Sequence, residues 1–360
     1  MTTFRIIILI GLILTDFIKH YSGLVYVSNV LLLFILIDVF VNVNRLTKLE
    51  FRLITTTLLL TVISFMVWDS TYTIYSYIGI IPVVWSLKFL SLDTLRKTFF
   101  IILCLNLMAG FYEYVLQTYL YEAVASRNGK EVLLSYREIS GNVIRAKGFF
   151  AGPLTLANFA LGSCLIFRKN MLMLLVSFFI CLLCNARLGI LCLALIYFLD
   201  HFNFNFKKLI SLIVISLTVT LIINNIIDVA GFLRIVNVFD LQSNNHVMRL
   251  YYMTSAILLF SEYGLINVLF GNSGALLESI GNNAESGWLT ILVENGLVGL
   301  LLYFGVFINS LSKNIRFGLG GVSSLIILFI VMCSQTFYLS VIGPFMYWIP
   351  VLKNYYKKKL

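Results

Sequence analysis

Charge is scarce in this chain. Asp, Glu, Lys and Arg make up 12% of its 360 residues, against 60% hydrophobic. So little polar surface excludes a water-soluble fold for most of the sequence, and a mean hydropathy of +0.96 places it in lipid. Histidine is scarcer still. The three, His20, His201 and His246, are dispersed, which argues against a histidine metal cluster. Motifs of soluble enzymes are missing: no G-x-x-x-x-G-K-[ST], no G-x-S-x-G, no H-E-x-x-H and no dinucleotide fingerprint. A D-x-D metal-nucleotide motif is absent too, so no metal and no cofactor is expected. The six cysteines all fall in apolar segments and read as small buried hydrophobes. Cys181 and Cys184 share C-x-x-C spacing, but a redox or zinc site would need a polar surround or more ligands. Neither a Pro-rich nor a Gly/Ser-rich linker divides the chain, and no repeat of fixed period is visible. Residues 1–360 form one membrane domain on this reading.

What is present is a series of apolar runs separated by basic loops. A transmembrane helix needs about 20 largely apolar residues. Candidate spans are 4–19, 23–42, 53–69, 72–90, 98–117, 149–167, 171–185, 187–204, 209–227, 287–309, 321–337 and 339–353. The first has no small-x-small cleavage site after it and reads as an uncleaved span rather than a signal peptide. The basic residues then set the topology. With the N-terminus in the cytoplasm, cytoplasmic loops carry Arg45, Lys48 and Arg52; Lys88, Arg96 and Lys97; Arg168 and Lys169; Lys207 and Lys208; and Lys313 and Arg316. The tail adds Lys353, Lys357, Lys358 and Lys359, whereas the other short loops are nearly free of basic residues apart from Lys19. That alternation is the positive-inside pattern, and it requires about twelve spans with both termini cytoplasmic. It also accounts for the net charge of +10 through loops and membrane lipid headgroups, without a nucleic-acid partner. The expected fold is therefore an all-α polytopic helix bundle.

Two longer loops lie outside, about 118–148 and about 228–286. Within the second, Leu250–Ser261 is apolar but too short to span, and reads as a helix at the outer interface. Asn244 and Asn245 can cap its start, and Gly271, Gly274 and Gly281 mark a turn-rich return.

Several polar residues stand at the outer edge of apolar sequence. Arg187 joins spans seven and eight, and Arg249 opens the interfacial helix. A guanidinium there is costly unless it holds an anion, and its planar fork suits phosphate oxygens. The competing reading for each is a plain contact with lipid headgroups. Arg145 and Lys147 lead into span six through Gly148, Gly152 and Pro153, facing outward near headgroup level; phosphate snorkelling and ligand binding both fit them. Glu285 stands where span ten begins. It is a candidate general base for a sugar hydroxyl, or a solvated loop carboxylate. His246 is a weaker base candidate. Glu294, deeper in span ten, must pair or protonate and can neutralise an arginine. Asp16 and Asp38 lie within early spans, where internal pairing is expected.

Taken in order, these residues resemble a known superfamily. Arg145, Gly148 and Pro153 precede a span, Arg187 opens another, and Arg249 leads an external helix. Leu269-Phe270-Gly271-Asn272-Ser273-Gly274 follows, then Glu285–Leu289 and Glu294-Asn295-Gly296-Leu297-Val298-Gly299. The pattern looks like that of the O-antigen polymerase (Wzy) and O-antigen ligase superfamily, membrane glycosyltransferases of the GT-C type, over roughly residues 140–305. The resemblance implies a metal-independent enzyme of the bacterial inner membrane, active at the periplasmic face on glycans carried by undecaprenyl diphosphate. It places Arg187 and Arg249 where diphosphate is bound, and Arg145 is a further candidate for the same role. It implies a chain-length regulator as a partner. Ligases of this kind carry a histidine-asparagine pair at the start of the late span, where this chain has Ala284-Glu285-Ser286. That departure favours a polymerase, which moves a growing glycan onto a lipid-linked repeat unit. An O-antigen ligase, joining polymer to lipid A-core, is the nearest alternative. A lipid-linked oligosaccharide flippase is the alternative of another class, but it would carry its charges at mid-membrane between two related halves.

Overall fold

The computed structural model describes residues 2–22, 26–68, 74–122, 124–127, 130–133, 144–167, 170–201, 244–315, 319–334 and 342–356. The described chain is helical apart from a short antiparallel hairpin pairing Val124–Arg127 with Lys130–Leu133. Among the described residues three helices are long and apolar enough to cross a membrane: Lys48–Val67, Leu92–Leu116 and Gly287–Ile315. At 1.5 Å per residue, a 20-residue helix reaches about 30 Å, the thickness of a hydrocarbon core.

The remaining apolar helices are shorter, and several candidate spans are broken. The first becomes Thr2–Ile13 and Thr15–Ser22, and the fourth Ile74–Ile78 and Ile80–Phe89. The spans expected at 171–185 and 187–204 are two separate helices, Met171–Leu183 and Arg187–His201. The 209–227 candidate lies outside the described residues. The helix expected at Leu250–Ser261 is longer than expected, starting at Asn244 and continuing to Ser261.

Helix starts follow local chemistry. Thr47 and Glu50 form a reciprocal cap, with Thr47 N–H donating to the Glu50 carboxylate at 2.6 Å and Glu50 N–H to the Thr47 hydroxyl at 3.3 Å. Ser91 accepts from Thr94 N–H at 3.1 Å, and Asn170 from Met173 N–H at 3.2 Å. Pro153 sits in the first helical turn, where its missing N–H removes no hydrogen bond.

Helix 92–116 is inside out relative to a soluble helix. Asn106 and Glu113 are fully buried, while Met108, Phe111 and Val115 are exposed. Apolar side chains outside and polar ones inside suit a lipid surround. The main core is apolar and gathers Trp85, Phe99, Phe159, Tyr303, Tyr347 and Trp348 among others. At one end of the bundle Asp38 pairs with Arg5 at 2.7 Å and accepts from the Trp85 indole at 2.7 Å, so its expected internal pairing is present. Lys88 and Glu50 pair nearby at 2.9 Å.

A second, smaller core lies under the segment after Ser261. Ala256, Leu276, Ala284 and Val293 pack together with Phe260 and Tyr263 around them. This joins helix 244–261 and the return segment to helix 287–315.

Candidate functional site

The return segment is fastened to a break in the longest helix. Gly296 has φ 67° and ψ −170°, so Gly287–Ile315 is two helical pieces joined at a kink. Carbonyls just before the kink find partners elsewhere: Val293 accepts from Asn272 N–H at 2.9 Å, and Asn295 from the Tyr77 hydroxyl at 3.3 Å. Gly271, with φ 77°, lies against the same break. A Cβ on Gly271 would fall 2.3 Å from the Glu294 carbonyl carbon, and one on Gly296 2.4 Å from the Gly271 nitrogen. Only glycine permits two backbones that close with those torsions.

Glu294 completes the fastening. Its carboxylate accepts from the backbone N–H of Gly274 and, at 3.2 Å, from that of Leu276. It therefore holds the start of helix Ala275–Ile280, and this replaces the expected pairing with an arginine. Next to it the buried Tyr263 hydroxyl has no hydrogen-bond partner among the described residues, and burial pushes its phenol above the ordinary value with the Glu294 charge adding to the rise.

Glu285 sits on the lead-in to helix 287–315. Its backbone is left-handed at φ 53°, held by its own N–H donating to the Asn283 side chain at 2.8 Å. Asn282 donates to its carboxylate at 3.3 Å. The other carboxylate oxygen lies 3.9 Å from Nε of Arg249, with the two side chains 26% and 45% exposed respectively. Two residues nominated 36 positions apart in the sequence thus meet. At that distance and exposure the pair is weak, worth at most about 1 kcal/mol, so a stronger anion can displace the carboxylate. His246 lies one turn before Arg249 on the same helix, and its side chain is outside the described residues.

Arg145 and Arg187 gather at a second corner. Helix 171–183 ends where Asn185 turns left-handed at φ 49°, and helix 187–201 starts at once with Arg187. The 144–148 segment runs beside this turn. Ala146 N–H donates to the Leu183 carbonyl at 3.0 Å, and Arg145 Nε to that of Cys184 at 3.0 Å. Arg145 thus satisfies a carbonyl left without an intrahelical partner at a helix C-terminus, three residues before Arg187. Both arginines are half-buried. The N-terminus of the Arg187 helix adds a positive end to the same corner.

Lys147 departs from its expected outward placement. It is fully buried, because the loop is pinned inward by helix 92–116. Glu113 accepts from the N–H groups of Lys147 at 2.8 Å, Gly148 at 2.9 Å and Leu120 at 3.1 Å. Asn106 accepts from Phe149 N–H at 2.9 Å. Burial pulls the Lys147 ammonium down to about 8, against the opposing pull of Glu113, Asp16 and Glu122. Glu113 and Asn106 were not singled out from sequence. The available signal was a lone carboxylate within an apolar span, which marks a buried role in membrane proteins.

Cys181 and Cys184 are buried and unpaired, as their apolar surroundings suggested. Among the described residues no group of His, Cys, Asp and Glu could hold a metal ion. No protein-family model matches this chain, and no curated protein is significantly similar to it.

Proposed function

We propose that the protein is a membrane glycosyltransferase of the polysaccharide-polymerase kind, moving a glycan chain from undecaprenyl diphosphate onto a lipid-linked repeat unit. The observation that carries this reading is the meeting of Arg249 with Glu285 at 3.9 Å across the return segment. A cationic fork and a candidate base then stand side by side at the edge of an apolar bundle. The diphosphate takes the guanidinium of Arg249, with Arg187 and Arg145 supplying the second cationic corner. Glu285, released from its arginine when the diphosphate binds, accepts the proton of the acceptor hydroxyl. The arginines stabilise the negative charge that gathers on the departing diphosphate. No step requires a metal ion.

Sidedness follows from the loop charges. The basic loops face the cytoplasm, so the arginine corners face the periplasm of a bacterial inner membrane, with both termini cytoplasmic. A chain-length regulator is the expected protein partner.

The test is genetic and biochemical together. Deletion of a polymerase leaves lipid A-core bearing a single repeat unit, whereas deletion of a ligase leaves core with none. Purified protein that lengthens lipid-linked repeats in detergent is an enzyme, since a flippase needs two compartments to show its work. Core without any repeat, or purified protein without turnover, would overturn the polymerase reading.

A further inference from the structure

Beside the Arg145 corner lies a group of side chains that the diphosphate does not use. The Lys147 ammonium is fully buried and has no hydrogen-bond acceptor among the described residues. It rests 3.3 Å from the centre of the Tyr121 ring and 5.4 Å from that of Tyr119. Aromatic faces offset part of the burial cost but leave three N–H donors unmet. The wall continues outward. His20 lies 4.8 Å from Tyr121 and 5.2 Å from Tyr21, ring centre to ring centre. Tyr21 is 62% exposed and anchored by its hydroxyl donating to the Leu120 carbonyl at 3.1 Å.

The chemistry selects among ligands. The carboxylates of Asp16, Glu113 and Glu122 surround Lys147, and Lys19 is the further cation beside Asp16. With three carboxyl groups beside two ammonium groups, the site is a poorer place for a phosphate than the arginine corners. A neutral ring with hydroxyl oxygens for the ammonium and an apolar C–H face for the aromatics suits the site on both counts.

We propose that Lys147, with the aromatic wall of Tyr119, Tyr121, His20 and Tyr21, forms a sugar-binding subsite next to the arginine corner. It would hold a monosaccharide ring of the lipid-linked glycan, with Lys147 donating to ring hydroxyls. This rests on the diphosphate reading above for the origin of the ligand, but not for the recognition of the ring itself.

The test uses the full-length protein in lipid nanodiscs and calorimetric titration with two kinds of probe. One is farnesyl diphosphate. The other is farnesyl diphosphate bearing one sugar, as a hexose and as an N-acetylhexosamine. At least one sugar-bearing probe should bind wild type roughly tenfold more tightly than the bare diphosphate, the value of a hydrogen bond to a charged donor. The double variant H20A/Y21A, altered at exposed positions, should lose that gain and keep its affinity for farnesyl diphosphate. K147Q should do the same. Full retention of the sugar gain in H20A/Y21A, or no gain with any sugar in wild type, overturns the subsite. Unchanged binding of farnesyl diphosphate in R249E and R187E would instead overturn the diphosphate assignment, while the sugar gain is still read from the paired probes.

Discussion

Removing the Glu113 side chain should loosen the whole Arg145 corner. Three backbone N–H groups, those of Leu120, Lys147 and Gly148, end on this one carboxylate at 3.1, 2.8 and 2.9 Å. In Glu113→Ala they stay buried with no acceptor. Each unsatisfied donor costs about 1–3 kcal/mol, so the substitution should destabilise the local structure by about 3–9 kcal/mol. Glu113→Gln keeps one oxygen, which can serve Lys147 and Gly148, and strands only Leu120, for about 1–3 kcal/mol. A sensitive reporter is adjacent. Cys184 is fully buried, and its carbonyl holds Arg145. In a background where the other five cysteines are replaced, the rate of Cys184 labelling by a maleimide tracks local opening. A loss of about 3 kcal/mol corresponds to labelling roughly a hundredfold faster in Glu113→Ala, with Glu113→Gln in between. Labelling of Glu113→Ala within about threefold of wild type would show that this carboxylate does not hold the loop, and the reasoning would fail.

Arg249→Glu should abolish long-chain polysaccharide on lipopolysaccharide gels at normal protein level, and a normal ladder of chain lengths would remove the central assignment. Glu285→Gln should lower turnover of purified protein about 10²–10⁴-fold with little change in diphosphate affinity, as expected for loss of a general base. Gly296→Ala and Gly271→Ala should each prevent stable folding. Torsions with positive φ and ψ near −170°, open essentially only to glycine, cost an L-residue about 1–3 kcal/mol and the Cβ would overlap backbone, which detergent-extracted yield and melting temperature will report. Lys147 also makes stability depend on pH. Its pKa falls from the ordinary 10.5 to about 8 on folding, so the unfolded chain binds more protons between those values. Stability should therefore rise with pH from about 8 to about 10, by up to about 3 kcal/mol relative to K147Q, in chemical unfolding at fixed ionic strength.

Composition and charge alternation made the helical, apolar character of the chain legible, because those signals are sums over many residues. Helix breaks were harder to see. Nothing in the hydropathy of 287–309 signals the kink at Gly296, since it is a contact with Gly271 that shapes the backbone there. The placement of Arg249 and Glu285 followed from their positions beside apolar sequence, but their pairing depends on how the intervening return folds back. Lys147 was misjudged for a related reason. In sequence it is a basic residue before a span, and the long-range acceptor that draws its loop inward, Glu113, is 34 residues away. Glu294 was expected to answer an arginine, yet local backbone donors from Gly274 and Leu276 claim it.

The clasp between Gly271 and Gly296 also sets which part of this region is least able to yield. Main chain lies on main chain there with no side chain between to give way, and Glu294 and Asn272 add bonds on either side. Give in this region must therefore come from elsewhere. Helix 244–261 carries exposed Leu250, Tyr251, Ile257 and Leu258 and meets the bundle mainly through the small core under it. Any displacement of this helix relative to the clasp would carry Arg249 with it, away from Glu285.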